Sequence, residues 1–418
     1  MNARTAAGIA VGLLIAFALG WLARGGPPDV PASPRPERAA DRAAPAALET
    51  ALSLEDPLER TRALLDLLDR TDPALALPFH EKLRELRQAG LVDEIAEILV
   101  AHWWAEAAPD VAFAHPIPPR WPDRHPWVRT VLQEWTPRDP AAAAEAAQAL
   151  ADTPGSGRTA AARAVVDAWL ELETLPDPAP LFGLLEGLEP IVRGGALLHI
   201  ARSLIEDRGV EPALDYARGI RTSSGLRGNM LQEFLARTGV ALLDVDSARA
   251  VAWATEYADT DYGPGIHKHV AYYWALREGR PAMDWAVALP DDAAKSTILK
   301  RAWISFSRKH EADARAWLAE HPPHPLMRAT YRQFVRELGR SDPQAGLAVA
   351  DRAREPAYRD ELRAAAAEGW IVADPRAARV WLADAGLPPA LAAKVRAAGR
   401  RNQPARPAPT EKDDGEDR

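Results

Sequence analysis

The chain has no cysteine among its 418 residues. That absence removes disulfides, thiolate nucleophiles, thiolate metal sites and a lipid-bearing cysteine together. It leaves the redox compartment open, because cysteine-free chains occur on both sides of a membrane. Common signatures of enzyme chemistry are missing as well: there is no G-x-S-x-G nucleophile elbow, no H-E-x-x-H zinc helix and no glycine-rich phosphate loop. No stretch alternates β-branched residues, so almost no sheet is expected. A net charge of −8 lacks the concentrated basic field that phosphate recognition needs and argues against a nucleic-acid partner.

Tyrosine and phenylalanine are sparse at seven each, whereas tryptophan reaches fourteen, beside thirty-seven prolines and abundant alanine. Alanine favours helix and proline interrupts it, so the mixture predicts many short helices with proline-marked starts.

Residues 6–23 form an unbroken apolar run of eighteen residues between Arg4 and Arg24, the lower limit for a membrane span. Residues 1–24 thus read as a transmembrane anchor. The alternative is a signal peptide cleaved near Ala16-Phe17-Ala18, with the body secreted to the periplasm. Arg4 and the amino terminus favour a cytoplasmic head, while Arg24, Arg35, Arg38 and Arg42 pull the other way. The expectation is a single-pass inner-membrane protein with a periplasmic body. Residues 25–47, with Pro27, Pro28, Pro31, Pro34, Pro36 and Pro45 and no aromatic, read as an extended linker. Residues 400–418 are polar and charged, too poor in apolar side chains to fold alone.

Internal periodicity decides the expected fold. Bulky apolar residues recur at Leu242, Trp274, Phe306, Leu338 and Trp370, spaced by 32 residues. A second series follows eleven residues behind, at Trp253, Trp285, Trp317, Val349 and Trp381. Between the two lies a helix-start signal, clearest in SDPQAGLAV (341–349) and ADPRAARVW (373–381). An aspartate side chain accepts from the first free helix amides, and proline at the next position gives up only a donor that had no partner. The pair recurs at Asp72-Pro73, Asp139-Pro140 and Asp177-Pro178, with variants at Ala108-Pro109, Glu211-Pro212, Asp246-Ser247 and Arg280-Pro281. Earlier anchors fall at Leu68, Trp104, Trp135, Trp169 and Ile205, spaced by 31 to 37 residues.

Each unit therefore reads as a short helix opened by the cap, a tight turn, and a longer helix ending on the next anchor. Pro290, the HPPHP stretch (321–325), Pro356 and Pro388-Pro389 supply the turns. A helical pair cannot bury its apolar face alone, so neighbours must stack. The expected fold is all-α, a right-handed αα-superhelix of about ten helical hairpins over residues 48–399, with the tryptophans in the seams between units.

The spacing of six residues from Pro343 to Val349 and from Pro375 to Trp381 resembles the tetratricopeptide class of αα-repeats. The resemblance covers roughly residues 55–399. The small residue and tyrosine of that class are not regular here, and its usual period is longer than 32. It implies a superhelix with a concave protein- or peptide-binding surface and transfers no individual binding residue.

Candidate constellations are few. His267 and His269 lie two apart on one helix and point away from each other, which disfavours a metal site. His321 and His324 sit in the proline-rich turn and read as exposed turn residues. Carboxylates such as Asp259, Asp261, Asp291 and Asp292 are too abundant to single out a catalytic pair. A basic series runs Lys295, Lys300 and Arg301, then Arg328, Arg332 and Arg336, then Arg359 and Arg363. If the repeat keeps phase, it forms a ridge for an acidic peptide or anionic polymer, but Glu337, Asp360, Glu361 and Glu368 interrupt it, so an ordinary solvated face is the leading reading. Trp121, in HPIPPRWPDRHPW (115–127), is the tryptophan expected outside the seams, capping a groove or contacting a partner from a loop; the equal alternative is a compact loop that plugs the solenoid core. The expected function is a non-catalytic, membrane-tethered scaffold that binds a protein or peptide and needs no metal or cofactor. The alternative, prompted by tryptophan richness, is a cell-wall glycan-binding or lytic hydrolase-type protein.

Overall fold

The computed structural model describes residues 40–116, 126–150, 157–223, 229–291 and 294–401. Among these residues every regular element is a helix and no strand occurs. None of the described helices is long and apolar enough to cross a membrane, and the apolar run at 6–23 lies outside them. The chain divides into two compact units, Met1–Trp103 and Trp104–Arg418.

In the first unit, Ala40–Leu52 begins within the stretch expected as linker and holds Pro45 inside it. Pro57–Arg70 and Ala76–Gln88 follow, and Phe79, Leu83, Leu64 and Leu48 fill the centre with almost no exposure. The Asp-x cap grammar operates here at short range. Asp56 accepts from the Leu58 amide at 3.1 Å, Asp72 from Ala74 at 3.0 Å and Asp93 from Ala96 at 2.9 Å. Asp72-Pro73 opens only a 3₁₀ turn, Pro73–Leu75, ahead of the α-helix.

The second unit carries the regular repeat. Short helices Ser247–Glu256, Gly279–Ala288, Glu311–Glu320, Pro343–Asp351 and Pro375–Asp384 alternate with Gly263–Arg277, Lys295–Lys309, Arg328–Ser341, Pro356–Ala373 and Pro389–Arg401. Neighbours pack on neighbours, and one hydrophobic core runs without a break from Val128 to Ala366. The aspartate caps form as expected: Asp139, Asp246, Asp342 and Asp374 each accept from amides of the following first turn at 2.9–3.1 Å. Two of the variants shift. The helices start at Val210 and Gly279 rather than at the prolines Pro212 and Pro281.

The anchor positions have a backbone role that spacing alone does not reveal. The carbonyls of Trp104, Trp135, Ile205, Leu242, Trp274, Phe306, Leu338 and Trp370 each accept the N–H of the residue four places on, at 2.6–3.1 Å. In the late repeats that residue, Glu278, His310, Asp342 or Asp374, both ends the long helix and begins the next short one. All four adopt nearly the same backbone, φ between −145° and −132° and ψ between 57° and 89°. A corner of one residue leaves no slack, which accounts for the constant period. Where Pro356–Ala373 lengthens to 18 residues, the turn before it, 352–355, shortens to match.

Arg328–Ser341 and Pro356–Ala373 approach most closely, on glycine. A β-carbon on Gly339 would stand 2.0 Å from the Ala366 carbonyl oxygen, and one on Gly369 would stand 1.9 Å from that of Arg336. No side chain fits between two backbones at that distance. The preceding seam is built differently: Lys295–Lys309 meets the next unit through the 3₁₀ turn Pro325–Met327, whose Met327 is buried.

Candidate partner-binding surface

The tryptophans are interior residues. Of the twelve that are described, Trp104, Trp127, Trp169, Trp253, Trp274 and Trp317 are buried and the others are partly buried. Trp317 shows how a seam ring is held. Its Nε1 donates to Asp284 Oδ1 of the previous unit at 2.7 Å, and its face stacks on His321 at 4.2 Å. His321 Nε2 lies 3.2 Å from the same Asp284 oxygen, so this turn histidine belongs to the seam rather than to solvent. Trp127 Nε1 donates to the Ala112 carbonyl at 2.9 Å, and His115 stacks on Trp104. Those two residues flank the proline-rich excursion, while Trp121 itself lies outside the described residues.

The histidine pair separates as the helix requires. His267 Nδ1 bonds the Gly263 carbonyl and packs flat on Trp285, whereas His269 Nδ1 bonds Gly265, and burial lowers its pKa. No group of three potential ligands is assembled among the described residues.

The basic series does not line up as a free ridge. Arg336 is exposed, but its equivalent 32 residues on is Glu368, so the sign alternates across the seam. Arg332 pairs with Glu368 at 3.5 Å and Arg328 with Glu361 at 3.4 Å, while the Arg328 guanidinium also lies 4.9 Å from the centre of the Tyr358 ring. Arg363 pairs with Asp351 at 3.4 Å and lies over Trp381 at 5.7 Å. Arg359 donates through Nε to the Ala353 carbonyl at 3.0 Å. Lys295 is buried with Nζ 2.7 Å from Asp291, and Lys300 and Arg301 are exposed. Most of these cations therefore meet carboxylates or carbonyls of this chain.

Sequence reasoning missed a second class of cross-repeat contact. Arg138 donates to the Ala105 and Glu106 carbonyls, Arg208 to those of Leu170, Leu172 and Glu173, Arg352 to Ala319 and Glu320, and His310 approaches Leu276. These are carbonyls at or just past helix C-termini, without partners in their own helix, where a cation meets the negative end of the macrodipole. The available signal is a basic residue at a helix end, beside a corner at Arg138, Arg208 and His310 and just past a short helix at Arg352, 32 to 38 residues beyond the helix end that it closes.

One open groove of about 690 Å³ keeps an unbalanced charge. It lies where Arg158–Leu170 and Pro190–Arg208 end, and Asp167, Glu171, Glu173 and Asp207 line it with His199 and Arg208. Arg208 is spent on the floor carbonyls, and His199 Nε2 lies 3.0 Å from Asp167 Oδ1. Carboxylates and helix C-termini together make the groove receptive to an ammonium or guanidinium group.

No family model, curated protein or solved structure matches the chain, so the likeness to tetratricopeptide repeats rests on spacing and on the paired-helix architecture.

Proposed function

We propose that the chain is a non-catalytic scaffold, tethered to the inner membrane through residues 6–23 with its body in the periplasm. Its helical pairs stack as a right-handed αα-superhelix that presents a surface to a protein or peptide. The observation that carries this reading is the single core from Val128 to Ala366, which ties successive pairs into one continuous body. Its ion-paired flanks leave the acidic groove at Asp167 and His199 as the surface with charge to offer, and a basic stretch of a partner suits it. The glycan reading is supported less, since six of the twelve described tryptophans are buried and the other six partly buried.

Two measurements test the proposal on the full-length chain. Alkaline phosphatase fused at Ala47 should be active, whereas a fluorescent cytoplasmic reporter there would reverse the orientation. A photo-crosslinking residue at Ser203, in the groove, should give a discrete adduct that disappears with Glu171→Lys and Asp207→Lys. An adduct that tolerates both reversals, or adducts formed only from Arg336, would move the binding surface to the arginine face.

A further inference from the structure

One face of the long helices keeps charge of the sign opposite to the groove's. Gly263–Arg277 and Lys295–Lys309 pack on each other, and together they hold seven Lys and Arg and no Asp or Glu, in a chain with 59 acidic residues. The carboxylates around them are already shared. Asp244 receives Arg202 at 2.8 Å and Arg277 as well, while Glu233 receives Arg193 at 2.9 Å and Arg237 at 3.5 Å. Asp291 is held by the buried Lys295. Among the described residues no carboxylate comes within ion-pair distance of Lys268, Lys300 or Arg301.

Two half-buried tyrosines sit among these cations. Tyr272 Oη accepts from Arg308 Nη2 of the next long helix at 3.2 Å, and Tyr273 Oη accepts from Arg237 Nη1 of the previous one at 3.0 Å. A hydroxyl that accepts in this way keeps its own O–H to donate. The period places the rest. Lys300 and Ile304 stand 32 residues beyond Lys268 and Tyr272, so the two pairs lie side by side on adjoining helices, as the Arg308–Tyr272 bond also requires. Ile304 is 41 % exposed, and Trp303 beside it is half-buried. One repeat further on the pattern ends, because Arg332 there meets Glu368. The patch therefore offers cations that no carboxylate neutralises, a spare hydroxyl donor and one apolar side chain in their midst.

We propose that this face binds an acidic segment of a partner protein. Lys268, Lys300, Arg301 and the Tyr272 hydroxyl take its carboxylates through charge-assisted bonds, and an apolar side chain between those carboxylates covers Ile304. Isoleucine is what favours a protein: a phosphate backbone has nothing to place on it. The net charge of −8 also repels a long polyanion, whose charge extends beyond the patch. The face is separate from the acidic groove and does not depend on what occupies it.

The probe is a fluorescent peptide with a central leucine between two pairs of glutamates, titrated into the full-length chain at low ionic strength and read by anisotropy. Lys300→Glu with Arg301→Glu should weaken binding at least about tenfold, and Tyr272→Phe about threefold. Arg379→Glu reverses an exposed cation on Pro375–Asp384 and should change binding by less than about twofold. Ile304→Ser should weaken the leucine peptide about threefold and leave unchanged a peptide with serine in place of leucine. Lys300→Gln with Arg301→Gln removes the charges without adding new ones and should also weaken binding while circular dichroism stays unchanged, which separates lost contacts from a lost fold. Absence of binding would overturn the proposal, as would an equal loss from Arg379→Glu and from the double reversal. Tighter binding of an oligonucleotide or of phosphatidylglycerol vesicles, abolished by the same reversal, would overturn it too and give the face to nucleic acid or to a membrane surface.

Discussion

Two consecutive seams of the repeat solve the same stacking problem with opposite materials. Between Arg328–Ser341 and Pro356–Ala373 the helix backbones touch through Gly339 and Gly369, and side chains are excluded. One seam earlier, Lys295–Lys309 reaches its neighbour through a 3₁₀ turn. Trp317, Asp284 and His321 tie the adjoining short helices together there by ring stacking and hydrogen bonds. The period is 32 residues across both. A constant period therefore fixes where the corners fall, while the distance between helices is set locally by what stands in the seam.

The comparison breaks most readily at the filled seam. Trp317→Ala should lower the unfolding free energy of the full chain by about 3–5 kcal/mol, because it empties a fully enclosed site and leaves Asp284 without its indole donor. Urea unfolding followed by circular dichroism reads this. A change below about 1 kcal/mol would mean that the second helices, rather than the aromatic seam, hold these units together.

The glycine seam should fail in the opposite sense, by addition. Gly339→Ala places a methyl group against the Ala366 carbonyl, a backbone atom that cannot swing away, and should cost about 1–3 kcal/mol as the helices are forced apart. Gly195→Ala is the contrast. Nothing lies within 4 Å of its added β-carbon, and alanine in a helix is favoured over glycine by roughly 0.8–1 kcal/mol, so this variant should gain stability. If both substitutions shift stability in the same direction, close backbone approach is not what glycine provides at 339.

The corner between the two seams is a smaller lever. Asp342 ends Arg328–Ser341 and caps Pro343–Asp351 through the Ala345 amide at 3.0 Å. Asp342→Ala should cost about 1 kcal/mol, and Asp342→Ser should restore most of it, since serine caps nearly as well. Failure of serine to rescue would show that the conformation of the corner matters more than the cap.

Corners that carry Asp-Pro, such as Asp342 and Asp374, were legible from residue types alone because capping is local, with donor and acceptor within three positions. Glu278 and His310 take the same backbone without a side-chain cap bond, and no local residue pattern marks them. The anchors were legible because burial repeats with the period. The groove and the charge pairs were not, since their partners meet only after stacking. Arg332 reaches Glu368 across 36 residues, and Arg208 finds carbonyls that no composition advertises. One clue did stand in the sequence. Glu368 occupies the position equivalent to Arg336, and that reversal already argues against a uniform basic ridge.

The smallest expected effect decides what that arginine face is for. Arg332 is half exposed at 51 % and its partner Glu368 only 13 % exposed. An ion pair of this kind contributes at most about 1 kcal/mol, less at high salt. Arg332→Ala and Glu368→Ala, taken singly and together, measure the coupling directly. A coupling of a few tenths of a kcal/mol that fades with salt makes the pair a solvated seam contact. If Arg332→Ala instead leaves stability untouched while abolishing a partner crosslink from Arg336, the arginines face outward in function, and their carboxylates only hold them in place until the partner arrives.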